Sequence, residues 1–422
     1  MKFREFIEYL DEKGKLVKIK KEVSIEYEIA TLMKMLDGKP LLFENVAGYD
    51  MPVAANVCCN RSLLAEGLQI DENELIKKML NAIENPVEPE VKEAEGYREL
   101  NSLEDLPILL HYPQDGGKYI SSAIVVANDA EYGLNASYHR MMVIGENKVV
   151  MRILPRDFHK YIERGLKEFA ICIGNPISVA IASAISMPTE VNELAIANAL
   201  EPTHLIEIGN HKVPESEIIM IAEITDEMHD EGPFLDLTET FDIVRKQKVA
   251  KIKKIYAKEK AIYHALLPGG LEHKTLMGTP KEPTIFYEVS KVCDVKDVYI
   301  TPGGCSWLHG VVSIRKRNAD DGKKAIEAAF KGHKSMKHVF VVDDDIDIHD
   351  PHQIEWAMAT RFQGSKDMII KQEKGSSLDP SADPVTRETT KIGFDLTIPW
   401  DKEKENFKKP DLPMKLNLDD YL

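Results

Sequence analysis

The sequence predicts an α/β protein with a β-rich, barrel-like middle domain between two α/β domains. Three observations predict it. The first hundred residues alternate helical and strand-like spacings. Residues 120–224 hold short strand-like segments, many rich in β-branched residues and joined by turns, with one good helix among them. Beyond residue 260 the alternation returns. The expected domain bounds are therefore 1–100, 101–260 and 261–422, the last ending in an oligomerisation tail.

In chain order, Phe3, Phe6, Ile7 and Leu10 fall on one helical face over residues 2–12. A strand follows at 16–19, a helix at 29–36 and a buried strand at 52–57. Residues 84–102 are rich in Glu and Pro and read as a linker or solvated surface. Strands are expected at 122–127, 133–144 and 149–154, with Gly145-Glu146-Asn147 as the hairpin turn between the last two. The uncharged stretch 169–189 is about long enough to cross a bilayer. Gly174-Asn175-Pro176 and Pro188 interrupt it, so it reads as strand 169–174, a turn and a second buried strand at 177–185. Strands at 205–208 and 218–224 flank the middle domain's later part, and a helix is expected at 190–200. The last third predicts strands at 261–265, 298–300, 310–314 and 339–342, and helices at 322–330 and 351–361. From residue 374 the chain is polar until Leu416, and apolar anchors in 416–422 suit docking on a partner subunit.

Composition narrows the partners. Lys and Arg number 54 and Asp and Glu 70, so the formal charge is 54 − 70 = −16. A chain this acidic lacks the electrostatic footprint of a nucleic-acid binder, and it has no polybasic patch for anionic lipid. An anionic substrate would need a local cationic cluster. The first residues carry charges and no apolar signal-peptide core, and five cysteines without a CxxC do not form a disulfide framework. Adjacent Cys58 and Cys59 read as buried thiols. A soluble protein of a reducing compartment, the cytoplasm, is expected.

Common catalytic signatures are missing: no GxxxxGK[ST], no GxGxxG after a strand, no GxSxG and no HExxH. Chemistry must come from other clusters. Asn135, Ser137 and His139 alternate with Ala136, Tyr138 and Arg140 on one expected strand. The hairpin turn would fold Arg152 and Arg156 back toward them. Such a cluster suits a phosphate or carboxylate, although an exposed polar strand gives the same pattern. Glu231 and Asp236 flank Gly232-Pro233, where a turn can aim both at one pocket; an acidic surface loop is the plain alternative. Glu190 and Glu193 suit a helix N-terminus, and Glu193 with Asn135 could offer hard oxygen ligands to a divalent cation. The acids of 343–350 read as structural, finishing a strand and capping the helix at Pro351. Pro268-Gly269-Gly270 and Pro302-Gly303-Gly304 are turns.

Taken in order, these segments resemble the UbiD family of prenylated-FMN-dependent decarboxylases. The likeness is carried by Asn135-x-x-x-x-Arg140, the run Val143 to Met151-Arg152, Glu231-Gly-Pro-Phe-x-Asp236 and Tyr299-x-x-Pro-x-Gly-Cys305-Ser306. It continues through Val342-Asp-Asp-Asp345, Met358-x-Thr-Arg361 and Lys391-Ile-Gly-Phe-Asp395. The resemblance implies a central split β-barrel (flavin reductase-like) domain between the N- and C-terminal α/β domains. It implies that Arg140 binds the substrate carboxylate in a network with Glu231 and Asp236, with Asp236 as proton donor. Tyr138, His139, Arg140, Arg152, Ile153 and Leu154 would line prenylated FMN. Asn135 and Glu193 would hold Mn²⁺ or Mg²⁺, with Asp157 or His159 as third ligand, and K⁺ is a further candidate ion. A flavin prenyltransferase would supply the cofactor, and the chain would form a homo-oligomer.

The run from Leu267 to Gly278 is similar to an archaeal branch of the family. That branch implies decarboxylation of trans-anhydromevalonate 5-phosphate to isopentenyl phosphate. Arg156, His273 and Lys274 are candidates for the substrate phosphate. An aromatic acid decarboxylase of the 3-polyprenyl-4-hydroxybenzoate type is the alternative within the family. An FMN oxidoreductase and a non-catalytic assembly protein are alternatives outside it.

Overall fold

The computed structural model of the chain describes residues 1–410, 414, 416, 417 and 421. The expected anchors Leu418 and Leu422 lie outside the described residues, while Leu416 and Tyr421 are exposed. Among the described residues the strands form five sheets. No described helix is long and apolar enough to cross a membrane.

Helix Phe3–Glu12 forms as its spacing requires and buries Phe3, Phe6, Ile7 and Leu10. Strands Val17–Ile19, Leu41–Phe43 and Val53–Ala55 form a small sheet. Its fourth strand, Tyr263–Ala265, arrives parallel to Val53–Ala55 from far along the chain. The stretch 84–102, read as a linker or solvated surface, is largely exposed, and it contains two short strands, Val91–Glu93 and Tyr97–Leu100. Tyr97–Leu100 pairs with the long strand Arg245–Lys258, and that backbone pairing overrides the strand's polar composition.

The largest sheet has nine strands, and all its pairings are antiparallel. It is buried on both faces. Along Ile124–Asp129, Val125 and Ala127 enter one core, while Ile124 and Val126 enter the other. Alternation with a period of two delivers successive residues to opposite sides, so a double-sided core needs an unbroken apolar run. The second core packs the sheet against helices Phe3–Glu12, Ile177–Ala182 and Glu193–Leu200. Residues 177–185, expected to be a strand, include the helix Ile177–Ala182. Its six residues are all buried, so no polar face revealed the helical period.

The expected strand 133–144 is broken in two, Gly133–Tyr138 and Met141–Gly145, with His139 and Arg140 between them. These two strands lie six places apart in the sheet order. In a flat sheet that is roughly 29 Å, at about 4.8 Å per place. Three residue steps reach at most about 11 Å. The sheet therefore curls until these strands approach, and His139 and Arg140 form the corner.

The C-terminal sheet orders Asp294–Ile300, His309–Arg315, His338–Asp343, Glu388–Asp395 and Met368–Lys374. Helices Asp321–Gly332 and Glu282–Ser290 contribute to the core on one side, and Pro351–Arg361 to another. The Asp350 carboxylate accepts from the His352 N–H, and Arg361 binds Asp345, so the acids of 343–350 are structural. Glu388–Asp395 lies in the stretch read only as polar tail, because its buried positions are Thr389, Lys391, Gly393 and Asp395, none of them an apolar side chain.

Candidate active site

Arg140 sits at the corner of the curled sheet. The paired strands Ile218–Glu231 and Arg245–Lys258 place Glu231 directly opposite Arg245. Between them, a short ribbon pairs Phe234–Leu235 with Phe241–Asp242, which brings Asp236 and Asp242 to the same end. Arg140 Nε and Nη2 donate to the two oxygens of Glu231, each at 2.9 Å. Nη1 donates to Asp236 Oδ2 at 2.6 Å, and Nη2 also donates to Asp242 Oδ2 at 2.9 Å. The same Asp242 oxygen accepts from Arg245 Nη1 at 2.6 Å. Tyr119 donates its hydroxyl to Glu231 Oε1 at 3.2 Å, and the guanidinium carbon lies 4.6 Å from the centre of the Phe234 ring.

These contacts set the electrostatics. Burial alone would lower the Arg140 pKa, but Glu231, Asp236 and Asp242 raise it above the ordinary arginine value. Burial would raise the Asp242 carboxyl, but Arg245 and Arg140 bring it below its usual range. A guanidinium has five N–H groups. Four have carboxylate partners here, so one proton on Nη1 is left for a further acceptor.

One residue earlier, His139 faces a different space. A cavity of about 680 Å³ is lined by Asn135, Tyr138, His139, Arg152, Leu154 and Asp157, by Glu193, and by residues of the C-terminal part. That volume suits a cofactor-sized ligand. His139 Nδ1 donates to the Arg152 carbonyl at 3.1 Å, which leaves Nε2 to accept from Ser137 Oγ at 3.2 Å. Burial lowers the His139 pKa to about 4, so the ring is neutral. Arg152 lines the cavity, and its Nε lies 3.9 Å from Asp242, which links cavity and network.

The acidic end of the cavity is Glu193 and Asp157. Glu193 is 4% exposed and accepts only from uncharged donors: Asn135 Nδ2 at 3.1 and 3.2 Å and the Ala136 N–H at 3.0 Å. Burial pushes its carboxyl up to about 7 despite those bonds, and the charge of Asp157 adds to the rise. Asp157 accepts from the Thr189 hydroxyl at 2.7 Å. Among the described residues, no three His, Cys, Asp or Glu side chains gather as a metal-binding group. The hard donors at hand are two carboxylates and the Asn135 amide.

The structure thus gathers Arg140, Glu231 and Asp236 in one network, and Asn135, Tyr138, His139, Arg152, Leu154, Asp157 and Glu193 around one cavity. Ile153 instead turns into the core, with its N–H donating to Gln247 Oε1 at 3.1 Å. His159 does not line the cavity and pairs with Glu163 at 3.4 Å. Lys274 does not line it either and is held by Glu239. His273 accepts from the Gly269 N–H at 3.2 Å and lies within the field of Asp236 and Arg140. Sequence reasoning missed Asp242, Arg245 and Tyr119. The strand pairing would have pointed to Arg245, whereas Asp242 reads as one more acid in an acidic loop.

Three family models cover most of the chain. They are the N-terminal, Rift-related and C-terminal domains of 3-octaprenyl-4-hydroxybenzoate carboxy-lyase, over residues 7–83, 84–271 and 274–396. Anhydromevalonate phosphate decarboxylase of Methanocaldococcus jannaschii is 42% identical over 406 residues, covering 92% of this chain and 96% of that one. The protein of the same name from Methanosarcina mazei is 41% identical, covering 98% and 100%. Among solved structures, the UbiD-class enzyme HmfF from Pelotomaculum thermopropionicum in complex with FMN has a TM-score of 0.96 and 34% identity, with full coverage of both chains. An evolved dimeric form of HmfF in complex with prFMN has a TM-score of 0.91 and 33% identity, again with full coverage.

Proposed function

The chain belongs to the 3-octaprenyl-4-hydroxybenzoate carboxy-lyase (UbiD) family, and we propose that it decarboxylates trans-anhydromevalonate 5-phosphate to isopentenyl phosphate. The observation that carries the reading is Arg140, held by three carboxylates one residue from a wall of a cofactor-sized cavity.

On this reading the curled nine-stranded sheet is a split β-barrel of the flavin reductase-like kind, and prenylated FMN fills its cavity. Bound there, the cofactor supplies an electron sink for the pair that departing CO₂ leaves behind. Tyr138, His139, Arg152 and Leu154 flank it. Asn135, Glu193 and Asp157 would hold Mn²⁺ or Mg²⁺. The fit is supported by Glu193, a buried carboxylate with only uncharged donors and a like charge nearby, which a divalent cation would stabilise.

The chain's own groups do the positioning. Arg140 orients the substrate carboxylate through Nη1, the nitrogen with a proton to spare. Glu231 and Asp242 fix the plane of the guanidinium from its other edges. Asp236, bonded to the same Nη1, is the acid that returns a proton to carbon. Buried Tyr119 and Phe234 keep water from the Glu231 side. A homo-oligomer, and a separate flavin prenyltransferase that supplies the cofactor, belong to the same reading.

Incubating the cofactor-loaded protein with trans-anhydromevalonate 5-phosphate and with 4-hydroxybenzoate, while following CO₂, tests this. Release from the first acid alone is expected. Release from 4-hydroxybenzoate alone overturns the substrate. Nicotinamide-dependent redox turnover with FMN and no CO₂ overturns the reaction.

A further inference from the structure

The segment 112–119 stands behind the ribbon that carries Asp236 and Asp242. Tyr119 donates its hydroxyl to Glu231, and the Gly116 N–H donates to the Pro233 carbonyl at 2.9 Å. The approach is close: a Cβ on Gly116 would sit 2.3 Å from the Gly232 oxygen, so no side chain fits there. The Tyr112 ring meets Phe241 edge to face with centres 6.5 Å apart, and its hydroxyl donates to the Pro268 carbonyl at 3.3 Å. One short segment thus touches both sides of the ribbon and the glycine turn beyond it.

Asp115 lies at the centre of this segment. Its Oδ2 accepts from the Tyr112 N–H at 3.0 Å, which alone would make it a turn residue. The ribbon gives it a second task. The Asp236 N–H donates to the Thr240 carbonyl, so residues 236 and 240 form a hydrogen-bonded pair. Bonded and unbonded pairs alternate along antiparallel strands. Leu235 and Phe241, the next pair, therefore exchange no bonds, and the Leu235 N–H points outward. That N–H, with the N–H of His111, favours the charge of the Asp115 carboxylate, which also lies in the field of Arg140. Among the described residues Asp115 Oδ1 is buried without a hydrogen-bond partner of its own, which is uncommon for a residue that only closes a turn.

We propose that Asp115 is a positioning residue for Asp236: by taking the Leu235 N–H it fixes the ribbon that aims the proton-donating carboxyl, an assignment that rests on the decarboxylase reading above. A carboxylate accepts on both oxygens. An amide, or a protonated carboxyl, accepts on one and turns a donor toward the other N–H. Burial pushes the Asp115 carboxyl up to about 6, against the N–H groups and Arg140. Below that value it takes up a proton, and its hold on Leu235 weakens. Around it stand Arg140 with Glu231 and Asp236 bound to it, Tyr112, Tyr119 and His111. Arg140 and both tyrosines are raised and His111 is lowered to about 3, so none of these four changes charge near pH 6. His273, in the field of Asp236, is lowered as well.

The test compares cofactor-loaded wild type and Asp115→Asn, with trans-anhydromevalonate 5-phosphate as substrate, between about pH 5 and pH 8. Wild-type kcat is expected to fall as pH drops through about 6. In the variant kcat at neutral pH should be about 10- to 100-fold lower, with KM within about threefold, flavin affinity within about twofold and no fall through pH 6. Unchanged kcat overturns the proposal. A lowered kcat that still falls through pH 6 as in wild type makes Asp115 a structural residue and also overturns it. Hydrogen exchange of wild-type amides 233–242, corrected for intrinsic rate and referenced to strand Ile124–Asp129, should speed up by at least about threefold from pH 7 to pH 5. That measurement carries the test should the variant fail to fold, and unchanged exchange overturns the proposal. A wild-type protein that releases no CO₂ from this acid refutes the decarboxylase reading instead, and the same exchange measurement still decides whether Asp115 holds the ribbon.

Discussion

Arg140 and Asp242 are joined by a 2.9 Å hydrogen bond, and the Asp242 oxygen that accepts it also accepts from Arg245 at 2.6 Å. Asp242 thus bridges two guanidinium groups and fixes the edge of Arg140 that Glu231 shares. Arg140 has two other carboxylate partners, so losing this one loosens the group without stranding it.

Asp242→Asn keeps the shape and removes one negative charge between two arginines. We expect a stability loss of about 1–3 kcal/mol, read by urea unfolding. We also expect kcat/KM for the unsaturated acid to fall by roughly 10- to 100-fold, as misplacement of a binding group does. Unchanged kinetics would make Asp242 a bystander.

Asp236→Asn removes the proposed proton donor and keeps a hydrogen-bond acceptor for Arg140 Nη1. Flavin content and thermal midpoint should hold, while turnover falls by at least about 10²-fold, the lower bound of general-acid effects. Decarboxylation at the wild-type rate would assign the proton to another group.

Glu193→Gln replaces a buried carboxylate with a neutral isostere. Without metal the variant should be at least as stable as wild type, since burial disfavours that charge. With Mn²⁺ at about 100 times its Kd, wild type should gain about 2.7 kcal/mol. The variant should gain less than about a third of that in the same thermal-shift titration.

His139 gives a pH dependence with a defined sign. Its pKa is about 4 in the fold, against an ordinary value near 6.5. Between those values the unfolded chain takes up a proton that the folded chain refuses, so this group lowers stability as pH falls from about 6.5 to about 4. At about 1.4 kcal/mol per pH unit the full loss is roughly 3 kcal/mol. His139→Gln should remove most of that slope, measured as the variant's unfolding free energy relative to wild type at pH 7 and pH 4.5.

Much of this architecture is legible in the residues, where local chemistry and tertiary packing agree. Helix Pro351–Arg361 has its Asp350 cap and a first-turn proline, and its ends match expectation. Helix Ile177–Ala182 was hidden because a helix buried all round has no period to read. Strand Arg245–Lys258 was hidden for the opposite reason, since its lysines suggest solvent although Val249, Ala250 and Ala257 are fully buried. In the site, Arg140, Glu231 and Asp236 stood out because their neighbours form dense motifs. Lys281 lies between two prolines in a short polar run, and only the folded chain shows that its ammonium is inside.

The corner at His139 and Arg140 also limits how the chain can vary in length. Its two residues serve opposite clients, one side chain toward the cavity and the next toward the carboxylates. Side chains alternate along a strand, so one inserted or deleted residue between Tyr138 and Met141 would exchange faces along Gly133–Tyr138 or Met141–Gly145. Either strand would then turn its buried residues outward, and the sheet would lose its seam together with the arginine. Insertions belong in exposed turns such as that at Gly209 and Asn210, which joins the paired strands Leu205–Ile208 and His211–Pro214 away from this corner.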